Sequence, residues 1–301
     1  EDYTVDINRA NLDALFRTYM TAFQDGLGYT PPTNLAFLFR EFPSNSAGNF
    51  YAWLDRVPGF REWVGDRVFQ NVRSNKFEVL NRSWEDSVSI PNNDIEDDNY
   101  GVYSPVVQMM GENWMELLFE IIVEVLTSNA TAFDGKAILA NDHAYGDNTI
   151  DNLVTDALSA TSLNAAFLAA AGYKYSNDKP CRTRFTHLLH GPKLRSTAFD
   201  LVDNKYIIAE TGVGGQKDNV NYKAVQRVEM PDLVGTYDDY WFLLDCSRPI
   251  KPIALQIRKK ATPLMDTRVE QVMRTGQVDF MADGRCAAAP TFPHMIYGGI
   301  L

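Results

Sequence analysis

The 301-residue chain lacks the features that mark several large classes of protein. It has only three cysteines, Cys181, Cys246 and Cys286, an odd number set far apart. That spacing gives neither a disulfide framework nor a zinc site, and it fits a reducing, cytoplasmic origin. No apolar run reaches the ~18 residues that a membrane span requires. The most apolar stretch, Trp114 to Leu126, is broken by Glu116, Glu120 and Glu124. The opening Glu1-Asp2-Tyr3 is acidic where a signal peptide would be basic and then apolar, so none is expected. Positive charge is scarce too: 28 Lys and Arg stand against 39 Asp and Glu, a net charge of −11. A surface that coats nucleic acid needs the opposite balance, although an acidic wall can enclose nucleic acid without adhering to it.

Catalytic motifs are missing as well. There is no Gly-x-Ser-x-Gly elbow, and no cysteine has a recognisable histidine partner. Gly212-Val213-Gly214-Gly215 lacks the Lys-Ser/Thr and the helix of a phosphate loop, and reads as a mobile loop. His187 and His190 are three apart on an expected strand, where they point to opposite faces with no third ligand. An enzyme built on them is the weakest reading. Asp94, Glu96, Asp97 and Asp98 do not have calcium-loop spacing and read as a charge cluster at a helix start. Asn81-Arg82-Ser83 and Asn129-Ala130-Thr131 match the glycosylation pattern but mean nothing without a secretory signal. No catalytic residue, cofactor or metal is expected.

What is present is an ordinary globular composition, 45% apolar and 22% charged, in a length of about two domains. Leu12, Leu15, Phe16, Tyr19, Met20 and Phe23 fall on one helical face, with Asn8 or Asn11 as cap and Gly26 and Gly28 as left-handed terminators. Pro31-Pro32 then forces an extended arm. From Leu35 to Ile90, β-type runs at 50–54, 67–72, 76–80 and 87–90 alternate with turn signals and read as long hairpins. Between Arg56 and Arg82 the six cations Arg56, Arg61, Arg67, Arg73, Lys76 and Arg82 face only Glu62, Asp66 and Glu78. This is a basic ribbon in an acidic protein: either a solvated strand face or an arm that docks on an acidic surface.

A long helix is expected over Pro105–Thr127, with the proline in its first turn. Val107, Met110, Trp114, Leu117, Leu118, Ile121, Ile122 and Val125 form its buried stripe. Its other side sets Glu112, Glu116, Glu120 and Glu124 at four-residue intervals, and each exposed like-charge pair costs about 0.2–0.5 kcal/mol. Cations from another surface would offset that repulsion. Further on, helices at 162–172 and 194–202 alternate with strands at 185–189, 206–209, 224–230 and 240–245, which suggests a compact α/β unit over about 150–250. The stretches 253–257, 270–273 and 277–281 read as strands, followed by a Pro/Gly-rich tail.

Several segments, in order along nearly the whole chain, resemble one family. They are Asn49 to Leu54, Val57 to Gly65, Ile95 to Asp98 ahead of Tyr100 to Pro105, Phe133-Asp134-Gly135 with Asn141-Asp142-His143, Tyr240 to Pro252, and Gln256 to Lys260. They look like the major head (capsid) subunit of Mu-like phages and prophages. The resemblance implies the α+β Hong Kong 97-like capsid fold. The expected parts are an N-terminal helix and arm (1–34), an extended hairpin or E-loop region (35–91), and a peripheral domain with the spine helix (92–149). An axial domain (150–250) and the returning peripheral strands with the tail (251–301) complete it.

The implied function is a structural protein that self-assembles as hexamers and pentamers into an icosahedral shell around double-stranded DNA. Its expected partners are further copies of itself, scaffold and portal proteins and decoration proteins, with no membrane. The expected place is the virion, assembled in the host bacterial cytoplasm. An encapsulin-like nanocompartment shell is the alternative. Within the capsid reading, Arg67, Arg73 and Lys76 of one copy are expected to cross Glu116, Glu120 and Glu124 of its neighbour.

Overall fold

The computed structural model describes residues 7–51, 77–96, 100–208 and 216–300. The chain opens with α1 (Arg9–Leu27), capped by the Asn8 side chain, which accepts from the Asn11 amide at 3.0 Å. Strands β1 (Phe39–Pro43) and β2 (Gly48–Phe50) follow, then β3 (Glu78–Leu80) and β4 (Arg82–Pro91). A short α2 (Asn92–Glu96) leads into α3 (Tyr100–Thr127), whose 28 residues span about 42 Å. Beyond it lie β5 (His143–Tyr145), β6 (Asn148–Ile150), β7 (Leu153–Val154), α4 (Ala160–Gly172), β8 (His187–His190) and α5 (Arg195–Val202). Next come β9 (Tyr206–Ile208), β10 (Gln216–Asp218), β11 (Gln226–Glu229) and β12 (Trp241–Leu244). The long β13 (Ile253–Met265), α6 (Val269–Thr275), the long β14 (Gln277–Pro290) and β15 (Ile296–Gly299) complete the chain.

Two sheets organise these elements. In the first, the order is β1-β13-β14-β4, with β1 parallel to β13 and the other pairs antiparallel. Along β14, Val278, Phe280, Ala282, Gly284 and Cys286 are buried and alternate with more exposed residues, the period-two signature of a sheet covered on one face. The cover is α1 and α3. Phe280 meets the rings of Phe16, Tyr19 and Phe23 at centroid distances of 6.4, 5.9 and 6.3 Å. Trp114 of α3 lies on Gly284, where an added Cβ would sit 2.3 Å from the indole.

The helices themselves touch backbone to backbone. A Cβ at Gly26 would fall 2.1 Å from the Gln108 carbonyl oxygen, and one at Gly111 would fall 2.4 Å from that of Phe23. Gly26 therefore serves helix packing and does not end α1, while the cap residue Gly28 has a right-handed φ of −76°. Helix α3 starts at Tyr100, ahead of the expected Pro105, which lies inside it and forfeits one backbone hydrogen bond.

The second sheet runs β11-β8-β12-β15-β7. Its central residues Leu188, Leu189, Trp241, Phe242, Leu243 and Leu244 are all 0% exposed, because both faces are covered. Leu188, Trp241 and Leu243 pack with Leu163 and Ala166 of α4 and Ala198 and Val202 of α5. Leu189, Phe242 and Leu244 join the core shared with α3. The Pro/Gly-rich end is not a loose tail: β15 is an inner strand, antiparallel to β12 and parallel to β7. Its glycines are required by contact, since a Cβ at Gly299 would lie 2.3 Å from the Trp241 indole nitrogen. Residues 270–273, expected as strand, are helical in α6, a length at which strand and helix periodicities are indistinguishable.

A polar joint ties the segment that follows α3 to this second sheet. Buried Asn152 accepts from the Ala140 amide (2.9 Å) and donates to the carbonyls of Ile138 (2.8 Å), Pro293 (3.0 Å) and Ile296 (3.0 Å). Beside it the buried His143 places Nδ1 2.6 Å from the Asp134 carboxylate and Nε2 3.0 Å from the Ile138 carbonyl. Burial works against ionisation of Asp134, but the His143 hydrogen bond and charge, with the Lys136 amide, hold its carboxyl below the usual range.

Two outcomes test this packing. Replacing Gly26 by Ala gains up to ~1 kcal/mol of helix propensity but forces apart two backbones, a strain of about 1–3 kcal/mol, so a net loss is expected in denaturant melts. Gly172→Ala, with nothing within 4 Å of the new Cβ, is the control and should be neutral or stabilising. Because the folded Asp134 carboxyl is depressed, its contribution is fully present above the unfolded value near ~4 and is lost as pH falls through the folded value. The stability gap between wild type and Asp134→Ala should therefore shrink with acidification in melts taken across that range.

Candidate functional site

The carboxylate ridge is where the sequence places it, on α3, but its members have different surroundings. Glu124 is claimed by the chain itself: Arg82 of β4 reaches it at 2.7 Å, both side chains half exposed, while the Arg82 guanidinium also lies 4.4 Å from the Trp84 ring centroid. Glu112 accepts from the Gln108 amide at 3.0 Å. Glu116 receives a hydrogen bond from Tyr29, whose phenol is held above its usual range by desolvation, that bond and the nearby carboxylates Glu116 and Glu112. Glu120 is exposed, and among the described residues neither Glu116 nor Glu120 has an ion-pair partner.

Glu116 and Glu120 form one wall of a groove of about 260 Å³ between α3 and the β4–β14 edge of the first sheet. Trp84, Met110, Trp114, Leu117 and Ala282 give it an apolar floor. Glu85, Asp86 and Asp283 bring the carboxylates among its described lining residues to five, and no cation is among those described residues. Glu85 and Asp283 stand directly opposite each other across the β4–β14 ladder, an unfavourable like-charge pairing. Lys259 relieves it by holding Asp283 at 2.5 Å. Sequence reasoning found the ridge from its four-residue spacing. It missed Glu85, Asp86 and Asp283, because only strand register brings residues so far apart in the chain to one groove.

The basic ribbon is described only at its base. Strands β2 and β3 pair antiparallel through Gly48–Leu80, Asn49–Val79 and Phe50–Glu78. Phe50 and Leu80 share one face of that ribbon and are each 63% exposed, whereas Val79 on the other face is buried. Arg67, Arg73 and Lys76, together with the expected strand over 67–72, lie outside the described residues.

The histidine pair is not brought together. His187 stacks on Phe37 (4.0 Å, 9°), and His190 is fully buried with Nδ1 2.7 Å from the Gly191 carbonyl. Burial lowers the pKa of both. Among the described residues no group of three or more His, Cys, Asp or Glu is placed to hold a metal ion. The three cysteines are free and buried, and burial pushes their thiols up to about 12 (Cys181, Cys246) and about 11 (Cys286). No helix among the described residues is long and apolar enough to cross a membrane.

A family model described as the Mu-like prophage major head subunit gpT matches residues 12–157 and 216–299. The Mu-like prophage FluMu major head subunit of Haemophilus influenzae is 27% identical over 278 residues, covering 90% of this chain and 67% of that protein. The major capsid protein of Escherichia phage Mu is 30% identical over 146 residues, 47% of each chain. Among solved structures, the procapsid of bacteriophage JBD30 gives a TM-score of 0.58 at 22% identity over 96% of this chain and 75% of that one. The mature capsid of bacteriophage PhiM1 gives 0.54 at 9% identity, over 90% and 88%. These likenesses establish the expected α+β Hong Kong 97-like fold.

The Arg82–Glu124 pair is half exposed, so Arg82→Ala should cost at most ~1 kcal/mol of subunit stability plus its Trp84 contact. Arg82→Glu should cost more, and the swap Arg82→Glu/Glu124→Arg should recover most of the difference in thermal melts. Equal stability of the single reversal and the swap would show the pair to be inert.

Proposed function

The chain belongs to the family of the Mu-like prophage major head subunit, and from that premise we propose how its surfaces build a shell. It is a structural capsid protein, a component of the phage virion. In our reading it assembles as hexamers and pentamers into an icosahedral shell that encloses double-stranded DNA, within the host cytoplasm. Scaffold, portal and decoration proteins are its further partners. The family match favours a phage head over a nanocompartment shell. We assign 1–34 to the arm, 35–91 to the E-loop region, 92–149 with the returning strands β13 and β14 after 251 to the peripheral domain, and 150–250 to the axial domain, whose sheet β15 completes.

The observation that carries the assembly reading is the acid-rimmed groove on α3, which has no cation among its described lining residues, in a chain whose 56–82 segment has six cations against three acids. A second copy's basic segment fits that groove in charge. Each exposed ion pair contributes only about 0–1 kcal/mol, whereas burying one Phe or Leu contributes about 1.5–3 kcal/mol. Affinity would therefore come mainly from apolar faces such as Phe50 and Leu80, and the charges would set register. The net charge of −11 would keep packaged DNA from adhering to the wall.

Reversal of Arg67, Arg73 and Lys76 to Glu should block shell formation in sedimentation and negative-stain assays. Adding Glu116→Lys and Glu120→Lys should restore it, with little further gain from Glu124→Lys, because Arg82 already holds that carboxylate. Normal shells from the triple reversal alone would refute the pairing.

A further inference from the structure

Gln256 sits in the middle of β13 between Leu255 and Ile257, opposite Phe42 of β1 and Ala287 of β14, and it is 0% exposed. A buried amide in a central strand is costly unless its donors and acceptor are satisfied. Here they are satisfied by the base of the hairpin. The Gln256 oxygen accepts from the Tyr51 hydroxyl at 2.9 Å, at the end of the outgoing leg. Its nitrogen donates to the Val79 carbonyl at 3.0 Å and to Asn81 Oδ1 at 2.7 Å, on the returning leg. One side chain thus grips both legs.

Asn81 extends the grip. Its Nδ2 donates to Ser44 Oγ (3.0 Å) and to the carbonyls of Ser46 (3.0 Å) and Ala47 (3.1 Å), while Ser44 Oγ donates on to Asn49 Oδ1 (3.0 Å). Among the described residues the β2–β3 ladder shows three register pairs. A two-stranded ribbon is marginal on its own and twists strongly, and apolar contacts resist sliding poorly because they are non-directional. Hydrogen bonds are directional. An apolar residue at 256 would also suit the core, so the amide is there to fix geometry.

We propose that Gln256 is a positioning residue for assembly: its amide holds both legs of the hairpin at one angle to the long sheet and thereby selects the geometry of the lattice. The inference rests on the reading that residues 52–76 of one copy engage another. Tyr51 and Phe77, where that segment joins the described fold, belong to the clamped legs, so a loosened clamp would misdirect the contact without unfolding the subunit.

The test uses the full chain with Gln256→Leu, which removes all three Gln256 hydrogen bonds, and Tyr51→Phe, which removes one hydroxyl. Subunit melting is followed by circular dichroism, particle diameter by negative-stain microscopy, and the Tyr51 amide, which bonds the Phe77 carbonyl at 3.1 Å, by hydrogen exchange. Tyr51→Phe is expected to melt within a few degrees of wild type, to exchange that amide at least tenfold faster, and to give at least a twofold broader diameter distribution. Gln256→Leu should do the same more severely, and if it fails to fold, Tyr51→Phe decides. Wild-type diameters from Tyr51→Phe, with yield following only the folded fraction, overturn the proposal. A wild-type chain that forms no closed particle at all overturns instead the assembly reading beneath it.

Discussion

Four carboxylates repeated along one side of a 28-residue helix repel one another, and the side chains beside that helix answer the repulsion in part. The helix cannot turn the ridge inward. Its other side is committed to the sheet and to α1 by contacts that leave no room for a β-carbon at Gly26, Gly111 or Gly284. Within one chain the relief is partial: Arg82 takes Glu124, Gln108 and Tyr29 take Glu112 and Glu116 by hydrogen bonds, and Glu120 faces the groove. Three like-charge steps of about 0.2–0.5 kcal/mol do not threaten a folded subunit. They would favour a cationic surface over an anionic one at that side of the helix.

The same division of labour recurs across the molecule. Apolar contact supplies strength, and polar groups supply direction. Asn152 fixes how the second sheet meets residues 138–140 of the segment after α3, and Gln256 with Asn81 fixes how the hairpin meets the first sheet. Each is an amide with partners on separate segments, placed where an apolar side chain would pack but would leave the angle free. A subunit that must repeat one geometry many times has more use for fixed angles than for extra stability.

Much of this is legible in the sequence because it is local. The stripe of α1 and the stripe and ridge of α3 follow helical spacing, and the strands at β8, β11, β12 and β13 follow runs of apolar and β-branched residues. What is not legible depends on tertiary contact. Glycine at 26 looks like a terminator until another backbone is seen against it, and Gly298-Gly299 looks like a tail until β12 and β7 flank it. Pro105 looks like a helix start, yet α3 begins before it. The short α6 carries too few residues for its period to show. The groove's Glu85, Asp86 and Asp283 come together only through register across long strands, and the partners of Gln256 only where the β2–β3 ribbon meets the first sheet.

The central claim is that the α3 groove is completed by a second copy of the chain. Cryo-electron microscopy of particles assembled from the full chain tests it most directly. The account predicts a neighbouring copy's 52–76 segment in the groove, with its cations within salt-bridge distance of Glu116 and Glu120. A shell in which those two carboxylates remain open to solvent, with the segment resting on its own subunit, would contradict it.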